Sequence, residues 1–188
     1  MEKRPVRNIA LCGIKHSGKT CAGRAAARLL GIRFRDTDDV LAEEDARRNG
    51  LAAVRPVRTI YRALGEEAFR RLEADAVRLA ASDAEPHVLA LGGGVLSNPY
   101  LTEGDVASLG FICCLDISDE AAFERIRPEG LPPFLASEPD PFAAFRESNR
   151  ARREIFGRFA HKIIHPDPDG TPEETAERIV SAWKEACG

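Results

Sequence analysis

No apolar run in this chain approaches the roughly 20 residues needed to cross a bilayer, so a membrane-spanning role is excluded at the outset. Aromatic residues make up only 6% of the 188 positions, and no stacking platform for nucleobases is visible. The formal net charge of −3 argues against a general grip on nucleic acid, although Arg146, Arg150, Arg152, Arg153 and Arg158 crowd one segment. Five cysteines form an odd set without any Cys-x-x-Cys spacing, which leaves neither a disulfide framework nor a zinc site; reduced, buried thiols are expected. Adjacent Cys113 and Cys114 in a strand would point to opposite faces. Internal repeats and low-complexity tails are missing too. Residues 1–7 lead almost directly into a first strand, without the separate apolar stretch and small-residue cleavage site of a secretory signal, so a cytoplasmic location is the expectation.

What is present is the composition of a soluble globular chain, 44% hydrophobic and 30% charged. A length of 188 residues suits one domain, spanning 1–188, that buries roughly 70% of its unfolded surface. Strand-like runs occur at 8–12, 33–36, 87–91, 110–115 and 162–165, separated by segments of helical character. Strands alternating with helices imply a mostly parallel sheet covered by helices. Among the helical segments, 18–30 is rich in alanine and leucine, and 66–81 places Ala68, Phe69, Leu72, Ala76, Leu79 and Ala80 at steps of three and four. Between 126 and 141 prolines forbid a continuous helix, and a lid over the site or a rigid surface loop would both satisfy the pattern. Thr171-Pro-Glu-Glu is expected to cap a final helix.

The octapeptide Gly13-Ile14-Lys15-His16-Ser17-Gly18-Lys19-Thr20 satisfies the phosphate-loop pattern and lies between an apolar strand and a helix, the context that pattern requires. Its backbone N–H groups would wrap the phosphates of a nucleotide triphosphate, with the helix N-terminus facing them. Lys19 would reach the terminal phosphates and the Thr20 hydroxyl would bind Mg²⁺. Asp36-Thr37-Asp38-Asp39 follows the second predicted strand, at the sheet edge where open α/β folds bind ligands. An acidic turn there can serve a site, or Asp38 or Asp39 can simply cap the next helix. Gly92-Gly93-Gly94 follows the third strand and leaves bare backbone for a ligand to approach.

Taken together, these motifs resemble shikimate kinase, a family within the nucleoside-monophosphate-kinase-like phosphate-loop folds, over essentially the whole chain. The resemblance implies a three-layer α/β/α P-loop fold with a five-stranded parallel sheet in the order 2-3-1-4-5, an acceptor-binding segment at about 37–65 and a mobile lid at about 126–141. It implies transfer of the terminal phosphoryl group of ATP to the 3-hydroxyl of shikimate, on the route to chorismate and aromatic amino acids, with Mg²⁺ as cofactor. By the same resemblance Asp36 would hold Mg²⁺, and Asp38 would bind the shikimate hydroxyls and accept the proton of the attacking one. Arg70 and Arg152 would take the shikimate carboxylate, a group that guanidinium recognises through charge-assisted hydrogen bonds. Glu73 could hold Arg70 in place. Backbone at Gly92, Gly93 and Gly94 would line the acceptor pocket, and Arg125 would pack against adenine. The expected partners are ATP and shikimate, with no nucleic acid, no membrane and a monomeric chain.

Two departures from the family pattern stand out. The family's lid carries an arginine in an Arg-Pro-Leu-Leu-like sequence, whereas 131–135 here read Leu-Pro-Pro-Phe-Leu; Arg127 is the candidate substitute as catalytic cation. His16, preceded by Lys15, stands where the family commonly has glycine; the pair is read as a lineage variation of small effect, the alternative being a role in nucleotide contact within the ATP-binding loop. Two other readings stay open: a kinase for another small hydroxy acid such as gluconate, and a nucleotide-binding homologue that has lost catalysis.

Overall fold

The computed structural model describes residues 8–129, 131, 135 and 137–187. Five short strands, β1 (Ile9–Cys12), β2 (Arg33–Asp36), β3 (His87–Ala90), β4 (Phe111–Leu115) and β5 (Lys162–Ile164), form one sheet. Every pairing is parallel and the order is β2-β3-β1-β4-β5, as the resemblance implied. β1 lies at the centre, with Ile9 opposite both Val88 and Phe111.

The central strands read as continuous apolar runs because both faces of the sheet are covered. Successive side chains alternate between two cores. Ile9, Leu11, Val88, Phe111, Cys113 and Leu115 pack under α1 (Lys19–Leu30) and the C-terminal helix, Pro172–Cys187. Ala10, Cys12, Leu89, Ile112 and Cys114 face the other way, toward α2 (Thr37–Asn49), α3 (Val57–Ala81), α5 (Asp119–Ile126) and α6 (Pro141–Phe159). A short helix, α4 (Glu103–Ala107), precedes β4, and the C-terminal helix is α7. Cys113 and Cys114 thus face opposite layers. Of the five cysteines Cys12, Cys113 and Cys114 are buried as expected; Cys21 and Cys187 are exposed, because the helix positions they occupy face solvent rather than the sheet.

Helix boundaries follow local chemistry. α1 starts after Gly18 and ends at Gly31, both left-handed. α7 opens on a reciprocal cap, with Thr171 N donating to Glu174 Oε2 at 2.8 Å and Glu174 N to Thr171 Oγ1 at 3.2 Å. α3 extends further toward the N-terminus than the 66–81 periodicity predicts, because 57–64 is also helical; the two stretches meet at Gly65, whose φ of 75° and ψ of 172° break the helix. The segment joining α2 to α3 is pinned by Arg55, which grips the buried Asp45 carboxylate through Nε at 2.9 Å and Nη2 at 2.8 Å. Such a bidentate pair fixes orientation as well as distance.

The lid expected at 126–141 falls in part on Gly130, Pro132, Pro133, Phe134 and Ala136, which lie outside the described residues. Within that stretch Leu135 is fully buried in the core.

Only glycine tolerates the backbone conformation at Gly65 without strain of about 1–3 kcal/mol. Gly65→Ala is therefore expected to lower unfolding stability by about that amount in a urea titration; an unchanged midpoint would mean that the kink is not set by this residue.

Candidate active site

All five loops that follow the carboxyl ends of the strands lie along one edge of the parallel sheet, which is where such sheets bind ligands. After β1 the chain enters the phosphate loop, where Ser17 N donates to Ile14 O at 3.2 Å and closes a four-residue turn. Its third residue, His16, has φ 63°, while Lys15 before it keeps a negative φ. A positive φ at the third position alone defines a type II turn, which places Lys15 at the crest. His16 is therefore held in the small left-handed region rather than in an ordinary conformation. Its carbonyl accepts from Arg125 Nη1 at 3.1 Å, tying α5 to the turn. Gly13 lies so close to β4 that a Cβ there would sit 2.3 Å from Leu115 O. The Lys19 ammonium donates to Gly13 O at 3.0 Å and Ile14 O at 2.9 Å, and desolvation lowers its pKa from the ordinary lysine value.

The acidic turn divides its labour. Asp36, rather than Asp38 or Asp39, caps α2, its Oδ1 accepting from Asp38 N at 3.1 Å. The other Asp36 oxygen accepts from Thr20 Oγ1 at 3.3 Å. The structure thus joins the hydroxyl and the carboxylate that the sequence assigns to a divalent cation. Asp38 is free of capping duty. Its carboxyl is pushed up to about 6 by desolvation in the cavity and then by the charges of Asp36, Glu73 and Asp39, with Lys19 opposing. Desolvation also raises Asp36.

Around the glycine triplet the remaining candidates converge. A Cβ on Gly92 would lie 3.0 Å from Asp38 Oδ1, one on Gly93 3.9 Å from Arg152 Nη1, and one on Gly94 2.7 Å from Arg70 Nη1. Gly92 N is held by Thr37 Oγ1 at 2.8 Å. Arg70 Nη1 donates to Glu73 Oε2 at 3.0 Å, and Asn98 Nδ2 reaches both that carboxylate oxygen at 2.8 Å and Arg70 O at 2.7 Å. Arg152 carries no such partner among the described residues; burial and the facing Arg70 charge lower its pKa. A cavity of 610 Å³ runs from Lys15, His16, Gly18, Lys19 and Thr20 past Asp36 and Asp38 to Gly92, Gly93, Gly94 and Arg152, with Arg125 at the phosphate-loop end. Phosphate-loop candidates therefore share one space with Asp38, the glycines and Arg152, whereas Arg70 is not part of this lining.

Arg127 stands apart from this constellation. It is 62% exposed and donates to Glu124 Oε1 at 3.0 Å, three residues back, and it does not line the cavity.

Sequence reasoning missed the groups that aim these side chains. Asn149, completely buried, donates to Asp119 Oδ1 at 2.7 Å. Arg153 spans Asp116 Oδ1 at 2.8 Å, Asp119 Oδ2 at 2.9 Å and Ile117 O at 2.8 Å. Together they lock α6 to the loop after β4, and Arg152, one residue before the clamp, is turned toward the glycines. The spacing of Asn149 and Arg153, one helical turn apart on one face, was the available signal. Thr37 and Asn98 left no pattern in the sequence, since their partners are backbone groups and a distant carboxylate.

A family model for shikimate kinase matches residues 15–184. A shikimate kinase from Symbiobacterium thermophilum is 39% identical over 172 residues, covering 90% of this chain and 92% of the relative. One from Thermus thermophilus is 39% identical over 187 residues, covering 97% and 94%. Among solved structures, shikimate kinase from Acinetobacter baumannii in complex with shikimate superposes with a TM-score of 0.77 at 25% identity, covering 96% of this chain and 94% of that one. A gluconokinase from Sinorhizobium meliloti, at 15% identity and a TM-score of 0.55, shares the fold alone.

The crowding of acids around Asp38 has a direct readout. In a carboxyl-detected NMR titration Asp38 is expected to titrate near 6, and Asp36→Asn to move its midpoint toward the ordinary aspartate range of about 4. A midpoint near 4 in the unmutated protein would contradict the desolvation and the crowding alike.

Proposed function

The chain belongs to the shikimate kinase family, and from that premise we propose that it transfers the γ-phosphoryl group of ATP to the 3-hydroxyl of shikimate, with the site residues acting as follows. The observation that carries this reading is the meeting of Asp38, Arg70 and Arg152 at the three bare glycines, with Asp38, Arg152 and the glycines lining the same cavity as the phosphate loop and Arg70 set against Gly94 at its margin.

ATP binds with its phosphates wrapped by the amides of 13–20 and its terminal phosphates near Lys19; Arg125 borders the base. Shikimate enters with its carboxylate toward Arg152 and Arg70, where guanidinium forks supply paired N–H donors. Its hydroxyls then face Asp38 and the Gly92–Gly94 backbone. The bond between the γ-phosphorus and the β–γ bridging oxygen breaks, a bond from that phosphorus to the shikimate 3-oxygen forms, and the hydroxyl proton passes to Asp38; ADP and shikimate 3-phosphate leave. Phosphoryl transfer has a loose transition state, so positioning and charge contribute more than base strength. An Asp38 carboxyl near 6 is still ionised at neutral pH and is a better proton acceptor than an ordinary aspartate.

A hydroxyl and a carboxylate in contact are hard oxygen donors of the kind Mg²⁺ takes, so Thr20 and Asp36 fit the role of holding it. When bound it neutralises charge on the phosphates. The chain is read as a monomer working in the cytoplasm on these two small molecules. Gluconate, the alternative acceptor, is supported by shared fold only.

A coupled assay is expected to report ADP release that depends on shikimate and not on gluconate; equal, negligible turnover with either would contradict the assignment. Arg152→Ala should raise the KM for shikimate by at least about tenfold, the loss of a charge-assisted contact, while leaving the KM for ATP within about twofold. Since Asp38 accepts a proton only when ionised, kcat/KM for shikimate should climb with pH and level off above about 6. A profile flat from pH 5 to 8 would remove Asp38 from that role.

A further inference from the structure

We propose that Lys15 is a catalytic residue, its ammonium contacting the phosphoryl group in flight and supplying the positive charge that the proline at 132 cannot. The inference rests on the shikimate kinase reading and assigns that site one more residue.

Four cations line the cavity: Lys15, Lys19, Arg125 and Arg152. Lys19, which already serves the terminal phosphates in the reading above, donates to the Gly13 and Ile14 carbonyls, and Arg125 to the His16 carbonyl. Arg127, outside the cavity, is committed to Glu124. Among the described residues Lys15 and Arg152 alone of the four have no hydrogen-bonded or ion-paired partner. The reaction brings two anions into the same space, the carboxylate of the acceptor and the terminal phosphate of the nucleotide. Arg152 lies against Gly93 on the acceptor side, beside Arg70. Lys15 lines the cavity from the crest of the phosphate-loop turn, in the same loop as the Lys19 ammonium that addresses the phosphates.

The turn explains why the side chain can serve. His16 accepts the left-handed conformation that a type II turn demands at its third position, so the second position is held at the apex and its side chain leaves the loop rather than folding under it. Lys15 is exposed, and its four-carbon stem gives the ammonium several ångströms of reach. An ammonium acting as a point charge needs no fork geometry to stabilise charge spread over three equatorial oxygens.

Lys15→Met keeps the length and removes the charge. It is expected to lower kcat at least about tenfold, in line with the loss of one transition-state donor, while the KM for shikimate stays within about twofold and the melting temperature is unchanged. Lys15→Arg should retain kcat within about threefold. Calorimetry separates the phosphate contacted: Lys15→Met should weaken a non-hydrolysable ATP analogue at least about fivefold and leave ADP unaffected. The proposal is overturned by a kcat within twofold of the unmutated protein, by equal weakening of ATP analogue and ADP, or by a rise in shikimate KM alone. If the unmutated protein turns over no shikimate, the functional reading fails, and the comparison of ATP analogue with ADP still decides whether Lys15 meets the terminal phosphate.

Discussion

Three consecutive glycines leave a length of chain with no side chains, and the space they vacate is filled from three directions. Asp38 arrives from the first turn of α2, Arg70 from the middle of α3 and Arg152 from α6, each against a different glycine. Any side chain at 92 or 94 would meet a carboxylate oxygen at 3.0 Å or a guanidinium nitrogen at 2.7 Å. The acceptor end of the site is thus a packing arrangement before it is a chemical one. Its other members follow from it: Thr37 ties the first glycine to α2, Glu73 and Asn98 hold Arg70, and the Asn149–Arg153 clamp sets the rotation of α6.

Electrostatics at the site run against the stability of the empty pocket. Two guanidiniums face each other, and the Arg152 pKa is lowered by burial and by Arg70. Asp38 is partly desolvated and has three further carboxylates around it, Asp36, Glu73 and Asp39, so its own proton is held more tightly. Like charges held close in a partly desolvated cavity are favourable only toward a ligand that supplies the opposite charge. A carboxylate suits the arginine pair, and a proton leaving a hydroxyl suits Asp38. The fold keeps these charges in place with interactions remote from the ligand, among them the Arg55 grip on Asp45 and the triple contact of Arg153.

Much of this was legible in the sequence. Apolar runs such as 9–12 and 111–115 read as strands because both faces are buried, and the five strands lie where the runs place them, within a residue at either end. The phosphate loop is a local motif and needs no partner to be recognised. Asp38, Arg70 and Arg152 were named through family register, since spacing alone does not favour Arg152 over Arg153. The difference between those two neighbours is tertiary: Arg153 is consumed by Asp116 and Asp119, residues more than 30 positions away. Two further features are local and still escape the pattern, because several neighbouring residues could fill each role: the cap made by Asp36 rather than Asp38 or Asp39, and the engagement of Arg127 with Glu124 three residues back.

In the proposed reading, a pocket walled by bare backbone reads the carboxylate of its acceptor with Arg70 and Arg152. It is tested most directly by calorimetric affinities of shikimate and shikimate methyl ester for the unmutated protein and for Arg70→Ala combined with Arg152→Ala. The acid is expected to bind the unmutated protein at least about a hundredfold more tightly than the ester, two charge-assisted contacts being lost, and the double variant is expected to bind the two alike. Equal affinity of the unmutated protein for acid and ester would contradict it.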